Sequence, residues 1–124
     1  MTRTLPDGAE AIGRIMGLAP EEAARALEGM YGETIAWEVL GIGRIWQRGV
    51  LTRRERSLVA IAALTALGTK DRLRIHVGGA LRHGATPEEI EETILTLMVY
   101  AGHARATEAI EVAREVIAGA HTDD

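Results

Sequence analysis

His76 and Arg72 stand four residues apart, so on a helix they share a face one turn from each other. Histidine moves protons near neutral pH, and arginine can clamp a carboxylate through two parallel hydrogen bonds. Gly78 and Gly79 follow, and residues without a β-carbon let a ligand or another backbone come close. This grouping suits proton transfer to a small anion. A packed histidine beside a solvated arginine would show the same spacing.

Other chemistries find less support. The four histidines are His76, His83, His103 and His121. No His-Glu-x-x-His pattern occurs, and His76 and His83 lie two turns apart, too far to share an ion unaided, so no metal site is expected. Cysteine is absent, which excludes disulfides, thiolate metal sites and thiol redox chemistry. There is no Gly-x-Ser-x-Gly, and Gly41-Ile42-Gly43 follows no strand, so neither a serine elbow nor a nucleotide loop is indicated. Arg48, Arg53, Arg54 and Arg56 form a basic cluster beside Trp46. They suit either an anion site or a solvated loop and first helical turn. Tyr100, in an apolar helix, reads as a core residue with a satisfied hydroxyl.

These residues must be positioned by helices, because no segment reads as a strand. Six or seven helices are expected. A short one covers about Gly8 to Met16, and the next begins at Pro20 and ends near Gly32. A third runs from Glu33 to about Gln47, weakened by Gly41 and Gly43. Thr52-Arg53-Arg54-Glu55 is a capping box that starts a helix from Arg53 to Leu67, stopped by Gly68. Thr69 is placed to cap Lys70 to His83, which stops at Gly84. Thr86-Pro87-Glu88-Glu89 caps a helix running to Ala101, and the last covers about Ala104 to Ile117 before a frayed tail.

The 124 residues suit one domain over 1–124, with a core of Leu, Ile, Val, Ala and Met because Phe is absent. Leu58 to Leu64 is apolar all round, and Ile94 to Tyr100 nearly so. Helices apolar on every side need burial on every side, more than so small a domain offers, so a homo-oligomer is expected. The net charge of −4 argues against general nucleic-acid binding. The longest apolar stretch, Leu58 to Leu67, is about half of the roughly 20 residues a membrane helix needs, and the first residues show no apolar signal region. A soluble cytoplasmic protein is expected.

Several stretches together resemble the carboxymuconolactone decarboxylase family. They are Gly43-Arg44-Ile45-Trp46-Gln47-Arg48, Leu51, Arg56-Ser57-Leu58-Val59, Ala62-Ala63-Leu64 and Ala66-Leu67-Gly68. They continue with His76, then Gly84-x-Thr86-x-Glu88-Glu89-Ile90, then Tyr100-Ala101-Gly102. The likeness covers most of the chain and is strongest over residues 43–117. It implies the all-α alkylhydroperoxidase D-like fold, built on an antiparallel helical pair, in a trimeric or hexameric ring. The thiol peroxidases of that superfamily carry a Glu and a Cys-x-x-Cys where this chain has Ser57, Thr69 and Arg72, so their chemistry does not transfer. The chain also departs from the decarboxylases, at Arg48-Gly49-Val50-Leu51, Arg82-His83, Thr96 and His103.

The resemblance implies cofactor-free decarboxylation of a small lactone dicarboxylate, part of aromatic compound catabolism. The electrons left by carbon dioxide delocalise onto the lactone carbonyl, so the substrate is its own electron sink. His76 is then the proton donor, Arg48 or Arg72 the carboxylate clamp, Ser57 or Tyr100 a hydrogen-bond partner of the enolate oxygen, and Trp46 a wall. Two other readings fit the same residues. One is a decarboxylase, isomerase or cyclase for a different small acid. The other is a non-catalytic oligomeric binding protein of the same fold.

Overall fold

A computed structural model describes residues 4–122, and among these there are seven α-helices and no strand. Contacts divide the chain into two compact units, Met1–Leu51 and Thr52–Asp124.

The first unit holds α1 (Ala9–Met16), α2 (Pro20–Tyr31) and α3 (Glu33–Ile42), followed by a 3₁₀ segment, Gly43–Gln47. Its core is made of Ala9, Ala24, Leu27, Ala36 and Leu40. Alanine at so many of these positions lets helix backbones approach closely. The third helix was expected to reach Gln47 but gives way at Gly43. The cause is close approach of the backbone at Gly8, where a β-carbon on Gly43 would run into the Gly8 carbonyl, and one on Gly8 into Leu40 and Arg44. The Gln47 side chain then donates to the Asp7 carbonyl at 2.8 Å and fastens the end of the segment.

The second unit contains α4 (Arg53–Leu67), α5 (Lys70–Arg82), α6 (Pro87–Ala101) and α7 (His103–Thr122). Two capping boxes start its helices as the sequence indicates. Thr52 Oγ1 accepts from the Glu55 amide at 3.0 Å while the Glu55 carboxylate accepts from the Thr52 amide at 2.8 Å. Thr86 and Glu89 repeat the arrangement at 3.1 and 2.9 Å. These bonds hold the Glu55 carboxyl below its ordinary range. Thr69 sits at the N-cap of α5, but its side chain accepts no capping bond there. Gly68, in the left-handed region at φ 73°, turns the chain so that α5 returns along α4.

Helix α5 ends at Arg82, and His83 is its C-cap, with its amide donating to the Gly79 carbonyl at 2.9 Å. Helix α7 continues past Ile117 to Thr122 where fraying was expected. Val116 and Ile117 pack on the core, and alanines on either side of Gly119 favour helix. Asp123 and Asp124 lie outside the described residues. The core of this unit gathers Ile61, Leu73, Val77, Ile90, Ile94, Val112 and several alanines. Each helix that reads as apolar on every side buries only one face within the chain. Ile61 and Ile94 are fully buried, while Val59 on α4 and Leu95, Met98 and Val99 on α6 are exposed. No described helix is long and apolar enough to cross a membrane.

The two glycines of the α3 region differ in a way that stability measurements can read. Gly41 faces open space, so Gly41→Ala should gain about 0.5–1 kcal/mol from helix propensity. Gly43→Ala meets backbone, so it should cost about 2–3 kcal/mol. Urea unfolding of both variants checks the contrast, and equal effects would contradict the close approach.

Candidate functional site

Helix α5 positions the central residues. Arg72, His76 and His83 follow one another at four- and seven-residue spacing, so they fall along one helix face, with Gly79 between the two histidines. Arg72 is exposed, and His76 and His83 are half-buried. Burial, and then the positive charge of Arg72, hold the His76 imidazole below its ordinary range. Both causes disfavour a cation at this place, so the resting ring is neutral at pH 7. Arg82 is likewise lowered by burial.

Ser57 lies in the second turn of α4 and is 1 % exposed. Its Oγ is 2.8 Å from His83 Nδ1, a contact between the start of α4 and the end of α5. Thr93, Thr96 and Thr107 direct their hydroxyls back to helix carbonyls, a common habit of these residues. Ser57 directs its hydroxyl to the imidazole instead. Which of the two groups donates is set by the tautomer of the ring.

The other candidates are distributed as follows. Tyr100, on the last turn of α6, is not the core residue its apolar helix suggests but is 81 % exposed. Trp46, half-buried, and Arg48, exposed, belong to the first unit, whereas Ser57, Arg72, His76 and Tyr100 belong to the second. In the basic cluster, Arg54 forms an ion pair with Glu89 of the α6 capping box, so this arginine joins two helix starts. No group of three or more described His, Asp or Glu side chains is arranged to hold a metal ion. Sequence reasoning passed over His83 as a partner of Ser57. The two are 26 positions apart, and only the α4–α5 return brings them together.

The lowered His76 sets a direction for stability. The unfolded histidine takes up its proton near pH 6.5, and the folded one only at lower pH. The unfolded state therefore binds more protons between these values. This contribution is fully present above about pH 6.5 and is lost as pH falls toward the folded value. Urea unfolding at pH 7.5 and 5.5 should show the wild type losing stability relative to His76→Gln on acidification. A difference between the two that does not change with pH would contradict a neutral, buried His76.

Comparison with known proteins matches residues 22–115 to the model of the carboxymuconolactone decarboxylase family. A 4-carboxymuconolactone decarboxylase of Acinetobacter baylyi is 43% identical over 74 residues, 60% of this chain and 55% of that protein. The nitrosuccinic acid decarboxylase of Metarhizium robertsii is 35% identical over 75 residues, 60% of this chain and 52% of that protein. An uncharacterised 15.0 kDa protein of Paracoccus denitrificans is 36% identical over 78 residues, 61% of this chain and 58% of that protein. The chain thus spans about half the length of the curated relatives it matches. The family match takes in all of α4, α5 and α6, including Ser57, Arg72, His76 and His83, and the all-α architecture agrees with the alkylhydroperoxidase D-like fold. The chain belongs to the carboxymuconolactone decarboxylase family.

Proposed function

We propose that the protein decarboxylates a small acid with two carboxylates, without a cofactor, and that gamma-carboxymuconolactone is the first substrate to try. The observation that carries this reading is the half-buried His76 one turn from Arg72 on α5. The names of two relatives add to it, since one is named for 4-carboxymuconolactone and the other for nitrosuccinic acid. Both molecules are acids in which a carboxylate leaves from a carbon conjugated to an electron acceptor, a lactone carbonyl in one and a nitro group in the other. The acceptor takes up the electron pair of the breaking carbon–carbon bond, and a carbon of the resulting anion is then protonated, in the lactone the one next to the carbonyl.

In this chain Arg72 holds the retained carboxylate, and His76 delivers the proton to carbon. A carboxylate seated on Arg72 cancels the charge that disfavours the imidazolium and brings a negative charge close to it. Substrate binding therefore raises the His76 pKa and charges the acid when it is needed. Three or six copies in a ring would cover Leu95, Met98, Val99 and Tyr100 of α6, and would place the Tyr100 hydroxyl beside a neighbouring subunit. The setting proposed for this activity is cytoplasmic breakdown of acids derived from aromatic compounds.

Two measurements bear on this reading. The purified protein should release carbon dioxide from gamma-carboxymuconolactone with nothing added, and His76→Ala should slow turnover by about a hundredfold or more. Near-normal turnover in a folded variant would remove His76 from the role. Because the acid must be charged, both kcat and kcat/KM should fall as pH rises, with the kcat/KM midpoint below 6.5 and the kcat midpoint higher. Coincident midpoints would mean that the substrate carboxylate does not reach Arg72.

A further inference from the structure

Thr93, Thr96 and Thr107 each satisfy their hydroxyl on a helix carbonyl, but Thr65 on α4 does not. This residue is 1 % exposed, and its Oγ1 makes no hydrogen bond among the described residues. A buried hydroxyl calls for a partner. Thr65 lines a cavity of about 10 Å³ where α4 turns into α5, room for about one oxygen atom. Helix α5 is thirteen residues long, and Thr69 and Lys70 at its start line the same cavity. The first amides of a helix have no partner within it and carry partial positive charge. The Thr69 side chain makes no capping bond to them. Arg105 of α7 is a further lining residue, and its guanidinium lies against Gly68, where no β-carbon stands in the way. Lys70 and Arg105 are both exposed, and neither forms an ion pair among the described residues.

We propose that this cavity is a binding site for a small monocarboxylate, separate from the face that carries His76. One carboxylate oxygen enters the cavity and accepts from the Thr65 hydroxyl. The other stays at the mouth, with the Lys70 ammonium, the Arg105 guanidinium and the first amides of α5. The charged side chains that line the cavity suit a single negative charge. Lys70 and Arg105 bring two positive charges and Glu108 one negative, which leaves one positive. Asp71, next along α5, is drawn to Arg74 at 3.0 Å. At the negative end of α4, the carbonyls of Leu64 and Thr65 already accept from the Gly68 and Thr69 amides. The remaining wall is apolar, so the Thr65 hydroxyl is the buried side-chain contact that an entering oxygen meets. Lys70 stands about 120° around α5 from His76, so the two places draw on different faces of the helix.

The probe is sodium formate, titrated into the nitrogen-15-labelled full chain while sodium chloride is lowered to hold the ionic strength. The Lys70 and Asp71 amides and the Arg105 side-chain N–H should shift and saturate. The Kd should be on the order of 10 mM, as a few charge-assisted hydrogen bonds at an open site would give. Thr65→Val keeps the shape without the hydroxyl and should bind about tenfold more weakly, whereas Thr65→Ser should bind like the wild type. Arg105→Gln, at an exposed position, should also weaken binding about tenfold, and it decides the matter if Thr65→Val does not fold. Inorganic phosphate at about pH 8, mainly a dianion, should bind more weakly than formate. Tighter binding of phosphate overturns the assignment to a monocarboxylate. An equal response in the wild type and Thr65→Val, or shifts confined to the surroundings of Arg72 and His76, overturns the site. So does the lack of any saturable shift, which would mean that the cavity takes water only.

Discussion

The Ser57 hydroxyl, in a residue only 1 % exposed, meets His83 Nδ1 at 2.8 Å. That bond ties together two helices. Ser57 is near the beginning of α4 and His83 closes the end of α5, so the contact can form only if α5 returns along α4 in one register. Gly68 makes that return at the far end of the pair, in a left-handed conformation that other residues adopt at a cost. The hairpin is thus held at both ends. A slip of one residue in α5 would rotate its face by about 100° and carry His83 away from Ser57, with His76 and Arg72 turning along with it.

The capping boxes hold the starts of α4 and α6 in the same manner. Glu89 accepts from the Thr86 amide and also pairs with Arg54, one residue into the first turn of α4. One carboxylate therefore closes a helix start and ties it to another. Such a pair on a partly exposed surface adds little by itself, and most of the stabilisation comes from the cap. The ion pair supplies orientation: it fixes where α4 begins relative to α6, and Ser57 lies one turn further along α4. The arginine cluster is therefore partly an element of the scaffold and not wholly an anion site.

Local chemistry explains why the helices of the second unit could be read from the sequence. Thr52 with Glu55, and Thr86 with Pro87 and Glu89, are signals contained within four residues, and Gly68, Gly84 and Gly102 mark stops by their conformation. The failures have causes that lie elsewhere in the chain. The switch to a 3₁₀ segment at Gly43 depends on Gly8, and nothing in the sequence around Gly43 names that partner. Tyr100 was placed in a core because its helix is apolar, yet apolar periodicity cannot distinguish a side covered by the same chain from a side left exposed. For the site, Arg72 and His76 could be paired because both are on one helix. Ser57 and His83 could not, since their partnership is a product of tertiary structure.

The resting charge of the site follows from the same packing. The whole chain carries a net charge of −4, so on the proposed reading a dianion is recognised by local charge and not by long-range attraction. Burial, and then the positive charge of Arg72, hold the His76 imidazole below its ordinary range. On the proposed reading, an imidazolium formed before binding would be repelled by Arg72 and poorly hydrated, so the fold does not maintain one. The substrate carboxylate removes both objections by neutralising Arg72 and supplying a counter-charge.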